Sequence, residues 1–105
     1  MAGAGASAGA AFETEEGGRA RVSGLLDFDT VTHLLPLGTA AIERGDAAVI
    51  DLGGVTGSDS AGLALLIEWL SVAKAAAHPV RYENMSLQLK QLARLSEVEE
   101  LLVAA

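Results

Sequence analysis

One junction constrains the fold more than any other feature: a continuous apolar run passes through a short glycine-flanked turn and reopens as an apolar helix. "AAVIDL" (47–52) holds a single acid among apolar residues. Such a run suits a central strand with both faces covered. "LALLIEWLSVAK" (63–74) reads as a helix, because Leu63, Leu66, Ile67 and Leu70 fall on one face at ~100° per residue. Between the two lie Gly57, Ser58, Asp59, Ser60, Ala61 and Gly62. A strand that hands over to a helix is half of a β-α-β unit, which favours parallel pairing and right-handed crossovers.

The rest of the chain repeats the alternation. "FETEEGGRARVSG" (12–24) predicts a hairpin with Gly17-Gly18 as a two-residue turn. "TVTHLLPLGTAAIERG" (30–45) is helical for at least its second half. Pro36 predicts a late start or a kink there, and Gly45 a stop. The central helix runs from about Ser60 to Ala77 and ends at His78-Pro79. "VRYENM" (80–85) is a further strand. "SLQLKQLARL" is an amphipathic helix capped by Ser86, and Ser96 with Glu99 forms a capping box for a short last helix. The order β-β-α-β-α-β-α-α predicts an α/β domain, with a mainly parallel sheet of four or five strands covered by about four helices.

The 105 residues fit one domain, and half are hydrophobic, enough for a core built from Leu, Val, Ile and Ala. A net charge of −7 disfavours nucleic acid or an anionic membrane surface as a direct partner. The absence of cysteine excludes disulfides, thiol catalysis and Cys-ligated metal. Residues 1–11, rich in Gly, Ala and Ser, lack the basic start and apolar middle of a signal peptide and read as a flexible tail before a domain over 12–105. No apolar run reaches the ~18 residues of a membrane span. A soluble, cytoplasmic chain is expected.

The turn admits four readings. A nucleophile elbow needs G-x-S-x-G, but position 58 is Ser, not Gly. The two histidines are His33, in the first helix, and His78, roughly 27 Å along the helix from Ser60 at ~1.5 Å per residue. A phosphate loop needs a Lys after its last Gly, where Leu63 stands, and Asp59 repels phosphate. A purely structural turn makes Ser58 or Asp59 the N-cap, Gly57 the turn residue and Gly62 a point of close helix–strand packing. It leaves the hydroxyl of Ser60 unexplained. The fourth reading is a protein docking site with a built-in switch.

"VIDLGGVTGSDSAGLALL" resembles the core motif of STAS domains. In that motif an apolar strand ends in Asp-Leu, and after a short loop Asp-Ser/Thr-x-Gly opens an apolar helix. Asp51-Leu52, Val55 and Asp59-Ser60-Ala61-Gly62-Leu63 carry the match, and the element order agrees over about residues 12 to 103. The resemblance implies that the hydroxyl after the Asp faces a partner. In the anti-anti-sigma branch it is the serine phosphorylated by an anti-sigma kinase, a role that falls on Ser60. A phosphate there adds about −1.5 to −2 charge to a docking surface, beside Asp59.

A second resemblance bears on the branch. "LLDFDTVTHLLPLG", "GLALLIEWLSVAK" and the ending with "LKQLARL" are similar to the STAS subunit of Mla-type ABC transporters. That subunit is cytoplasmic and binds the ATPase of a complex that moves phospholipids between the membranes of Gram-negative bacteria. The resemblance implies a non-catalytic accessory subunit that supports outer-membrane lipid asymmetry, associated with the inner membrane through its partner and needing no cofactor. The alternative is an anti-anti-sigma factor. Having Ser60 rather than Thr keeps phosphorylation open.

The central helix also carries a second stripe. Leu65, Trp69 and Val72 follow i, i+4, i+7 on nearly the opposite side from the core stripe. It is either the contact with a neighbouring helix or an exposed patch for a partner, in which case Trp69 is the anchor and its indole is partly wet. The expected docking site comprises Ser60, Asp59, Ser58, Gly62, Leu65, Trp69 and Val72. Glu13, Glu15, Glu16, Glu97, Glu99 and Glu100 lie at the two ends of the chain with no His among them and read as solvated charges rather than a metal site.

Overall fold

The computed structural model describes residues 4–7 and 9–103. The elements are β1 (Ala4–Ser7), β2 (Ala10–Glu15), β3 (Arg19–Leu26), α1 (Phe28–Glu43), β4 (Val49–Ser58), α2 (Ser60–Ala76), β5 (Arg81–Glu83), α3 (Leu87–Leu95) and α4 (Glu99–Val103). They build one sheet in the order β1-β2-β3-β4-β5. The first two pairings are antiparallel and the last two parallel, so the sheet is mixed rather than mainly parallel.

The extra antiparallel strand comes from the expected tail. Ala4–Ser7 pairs with Ala10–Glu13 on β2 as an edge strand, and Ala10 and Ala11 belong to β2. The expectation for residues 1–3 and 8 lies outside the described residues. The hairpin between β2 and β3 closes with Glu15 opposite Arg19, so its loop is Glu16-Gly17-Gly18. Both glycines take positive φ, 78° and 76°, which a side chain resists.

Alternation sets the layers. Ala20, Val22, Ile50 and Leu52 point to the helices and are buried. Their neighbours Arg19, Arg21 and Asp51 lie on the reverse face, where Arg21 stands opposite Asp51 and Asp51 opposite Glu83. "AAVIDL" therefore has one covered face, not two. On the reverse face Glu83 joins Arg19 and Arg81, each at 2.9 Å, and the two guanidiniums hold its carboxyl below the ordinary range.

Helix ends follow local chemistry. Asp27 accepts from the Thr30 N–H at 3.0 Å and Thr30 Oγ1 accepts from the Asp27 N–H at 2.9 Å. This capping box starts α1 at Phe28, earlier than Pro36 suggested, and the helix runs through the proline. It stops at Gly45 (φ 80°), where Gly45 N–H bonds Ile42 O and Asp46 N–H bonds Ala41 O. β4 continues six residues past Leu52, so Gly57 is a strand residue paired with Leu25, not a turn residue. Ser86 caps α3 as expected, accepting from Leu89 N–H at 3.1 Å. Ser96 closes α3 instead of opening α4. Its neighbour Glu97 turns at φ 58°, and that reversal replaces the expected capping box.

Candidate docking surface at the helix N-termini

Three parallel strands feed three helices: β3 into α1, β4 into α2 and β5 into α3. All three helix N-termini therefore open at one end of the molecule. Leu26 and Ser58 are register partners there, and Asp59 N–H donates to Leu26 O at 3.1 Å.

The turn is built to hold α2 close. Asp59 is the N-cap, with Oδ1 accepting from Ala61 N–H at 2.8 Å. Ser58 is buried; its hydroxyl donates to Asp59 O at 3.0 Å and its N–H to Gln88 Oε1 at 3.0 Å. The second bond ties the start of α3 to the turn. A Cβ on Gly62 would fall 2.9 Å from Leu26 Cβ and closer still to Ser58 Oγ, so only glycine fits. Ser58 and Gly62 thus shape the site from beneath, while Asp59 and Ser60 are exposed. The Ser60 hydroxyl, first in α2, has no hydrogen-bond partner among the described residues.

Beside Ser60 runs a shallow groove of roughly 550 Å³, with Phe28, Val31 and Leu35 on the α1 side and Ser60, Ala64 and Glu68 on the α2 side. Phe28 is 73% exposed, Leu87 at the start of α3 70%, and Leu25 at the end of β3 44%. Sequence reasoning missed these three. The signal was present for Phe28: it lies off the face formed by Thr30, Leu34, Gly38 and Ala41, so an apolar residue there had nothing in the core to meet.

The second stripe of α2 is a correction. Trp69 is 0% exposed and Leu65 4%. The indole lies on Gly38 of α1, donates Nε1–H to Leu35 O at 3.3 Å and meets the Phe12 ring at 5.5 Å between centroids. Val72 is half-buried. The stripe is the α1–α2 contact, because both helices lie side by side on one sheet face and α2 must be apolar toward its neighbour as well as toward the strands. On the expected core stripe, Leu63 and Leu66 are buried but Ile67 and Leu70 only half-buried. These two line a larger apolar groove of about 970 Å³ near α4, with Lys74 and Glu100 among its few polar side chains, at the other end of α2 from the turn.

His78, also at that far end, has Nδ1 2.9 Å from Ile42 O, and His33 is exposed on α1. Among the described residues no helix is long and apolar enough to cross a membrane, and no three His, Cys, Asp or Glu side chains gather as a metal site.

Against known proteins, a family model described as "Mlab, STAS domain" matches residues 11–104. The fold is that of the anti-sigma factor antagonist SpoIIAA in its unphosphorylated form, with a TM-score of 0.65, 22% identity, and coverage of 84% of this chain and 82% of that one. It also matches the phosphorylated form of SpoIIAA, described as a Bacillus cell fate determinant, with a TM-score of 0.61, 22% identity, and coverage of 83% and 84%. No curated protein matches the sequence. With the family match spanning nearly all of the chain, and the Asp59-Ser60-Ala61-Gly62 turn set between β4 and α2, the protein belongs to the Mlab family of STAS domains.

Proposed function

We propose that the chain is a non-catalytic accessory subunit that binds and supports the cytoplasmic ATPase of a phospholipid-transport ABC complex maintaining outer-membrane lipid asymmetry. It works at the inner membrane through that complex and does not insert itself. The observation that carries this reading is the Mlab family match. The contact is the end at which α1, α2 and α3 begin, with Ser60 and Asp59 at its centre and Phe28, Leu25 and Leu87 around them. Ser58 and Gly62 act from below by fixing the turn.

Tagged chain recovered from its native cell is expected to bring down the ATPase with its permease. Ser60→Ala should bind close to wild type, since one exposed hydroxyl is worth about 0.5–1.5 kcal/mol. Ser60→Glu should weaken binding by about 2 kcal/mol or more, because the longer side chain crowds the centre of the contact. Equal affinity of Ser60→Glu and wild type removes Ser60 from the contact.

A second reading is an anti-anti-sigma factor switched by phosphorylation of Ser60 by an anti-sigma kinase. The exposed, unbonded hydroxyl of Ser60 favours it. Recovery of a kinase and no transporter subunits, with phosphate on Ser60, would select this reading over the first.

A further inference from the structure

The exposed apolar side chains at the helix N-termini sit among carboxylates with few cations nearby. Asp27 and Asp29 flank Phe28, Asp59 precedes Ser60, and Glu68 lines the groove between α1 and α2. Six of the seven Lys and Arg side chains lie elsewhere, alongside most of the other carboxylates. Arg19 and Arg81 begin β3 and β5, and Arg21 lies two residues further along β3, facing Asp51. Arg44 ends α1, Lys74 is in the last turn of α2 and Arg94 in the last turn of α3. Because β3, β4 and β5 run parallel, these positions gather at the opposite end, roughly 25 Å away for an eight-residue strand at ~3.3 Å per residue. Among the described residues Lys90, one turn into α3, is the one Lys or Arg near the helix N-termini.

We infer that this end docks a basic protein face that offers an apolar cleft, with Phe28 inserted into the cleft and Asp29, Asp59 and Glu68 facing lysine or arginine around it. The inference rests on the reading of this end as the ATPase-binding surface, and it specifies the chemistry of the ATPase's matching face. Phe28 suits the anchor role because it is the most exposed aromatic side chain and stands on the first residue of a capped helix, so it is presented rigidly. Asp29, next to Phe28 on α1, and Glu68, in the groove lining, are exposed, where unlike charges on a partner steer encounter and like charges reject the wrong one. A neutral or acidic partner would leave these carboxylates desolvated and unpaired.

The test uses the full chain and the purified ATPase subunit of the complex, with binding followed by surface-immobilised kinetics. Wild-type affinity is expected to fall about tenfold or more between ~0.05 and ~0.5 M NaCl, chiefly through the association rate. Asp29→Arg should slow association by about tenfold. Phe28→Ser should speed dissociation by about thirtyfold, as loss of a central aromatic anchor does. Leu95→Ser, 82% exposed at the far end of α3, should bind as wild type does. Both test residues are solvent-facing, so unchanged thermal unfolding of the variants separates binding from folding. Binding indifferent to salt, or a Phe28→Ser variant that dissociates like wild type, overturns this inference and leaves the ATPase assignment standing. A wild-type chain that does not bind the ATPase overturns the assignment and this inference together.

Discussion

Replacing Gly38 with alanine tests whether the Trp69 contact holds the two long helices together. Gly38 lies inside α1, where alanine alone would add about 0.8–1.0 kcal/mol of helix stability. The geometry opposes that gain. A Cβ at position 38 would come 2.6 Å from the indole Nε1 and nearer still to Cε2 and Cζ2. Ordinary carbon contacts are about 3.5–4.0 Å, so the ring must retreat by ~1 Å. It has nowhere to go, being 0% exposed and packed against Phe12. Overpacking costs about 1–3 kcal/mol, and loss of the Trp69–Leu35 hydrogen bond about 1 more. The balance is a net destabilisation of about 1–3 kcal/mol, read as a lower urea midpoint by far-UV circular dichroism. In a Trp69→Leu background the obstacle is gone, and Gly38→Ala should become neutral or stabilising by up to ~1 kcal/mol. The double-mutant coupling is then about 1–4 kcal/mol. Wild-type fluorescence should be blue and poorly quenched by acrylamide, as befits a buried indole. Gly38→Ala that is stabilising in the wild-type background refutes the reasoning.

Two further predictions concern other parts of the fold. Ala77 ends α2 at φ 56°, a left-handed position that costs a side chain about 1–2 kcal/mol, while glycine gives part of that back through unfolded-chain entropy; Ala77→Gly should therefore stabilise by about 0.5–1 kcal/mol, and a lowered urea midpoint would count against the cap geometry. The carboxyl of Glu83 is held below its ordinary value of 4.5 by hydrogen bonds first from Arg19 and then from Arg81, so its contribution is present above pH 4.5 and is lost as pH falls through the lowered folded value; stability of Glu83→Gln should depend less steeply on pH below 4.5, and parallel wild-type and variant profiles would exclude the pair as a source of acid sensitivity.

The elements that sequence reasoning located best were those whose signal is local. Ser86 as an N-cap, Gly45 as a helix stop and Gly62 as a close-packing point each follow from one residue's chemistry, and each stands where expected. Errors arose where a non-local partner decided the outcome. "AAVIDL" reads as doubly buried because Val49 and the alanines are apolar, yet Asp51 marks the open face, its carboxyl held below the ordinary range by Asn84 and the Gly53 N–H. Residues 4–7 carry no strand signal of their own; pairing with β2 makes them one. Trp69 stays open between a helix contact and an exposed patch in the sequence, because a helical wheel shows two apolar sides but not which neighbour covers the second. The covering residue was in plain view: Gly38, a helix-interior glycine with no capping role, is what an indole needs beneath it. Phe28 is the converse case: it stands beside the cap and off the buried face of α1, so its apolar ring meets nothing in the core.

These two aromatic positions separate folding from recognition. Trp69 is enclosed by α1 and the sheet, and its loss would leave a large cavity; Phe28 touches the core little, and its loss leaves the helix cap intact. The same division runs through the turn. Ser58 and Gly62 are fixed by contacts to Leu26 and Gln88, whereas the Ser60 hydroxyl is bonded to no described residue. A change at Ser60, whether a phosphate or a glutamate, therefore alters the charge of the docking end without withdrawing any bond from the turn that supports it. An added carboxylate in the first turn of a helix is itself tolerated or mildly favourable. A surface arranged in this way can be switched by a bulky group added at the centre of the contact while the fold beneath is almost unaffected. It follows that Ser60→Glu should leave the urea midpoint of the free chain unchanged even as it weakens binding. If the midpoint falls by more than about 0.5 kcal/mol equivalent, Ser60 is part of the turn's own support and the division between folding and recognition residues does not hold there.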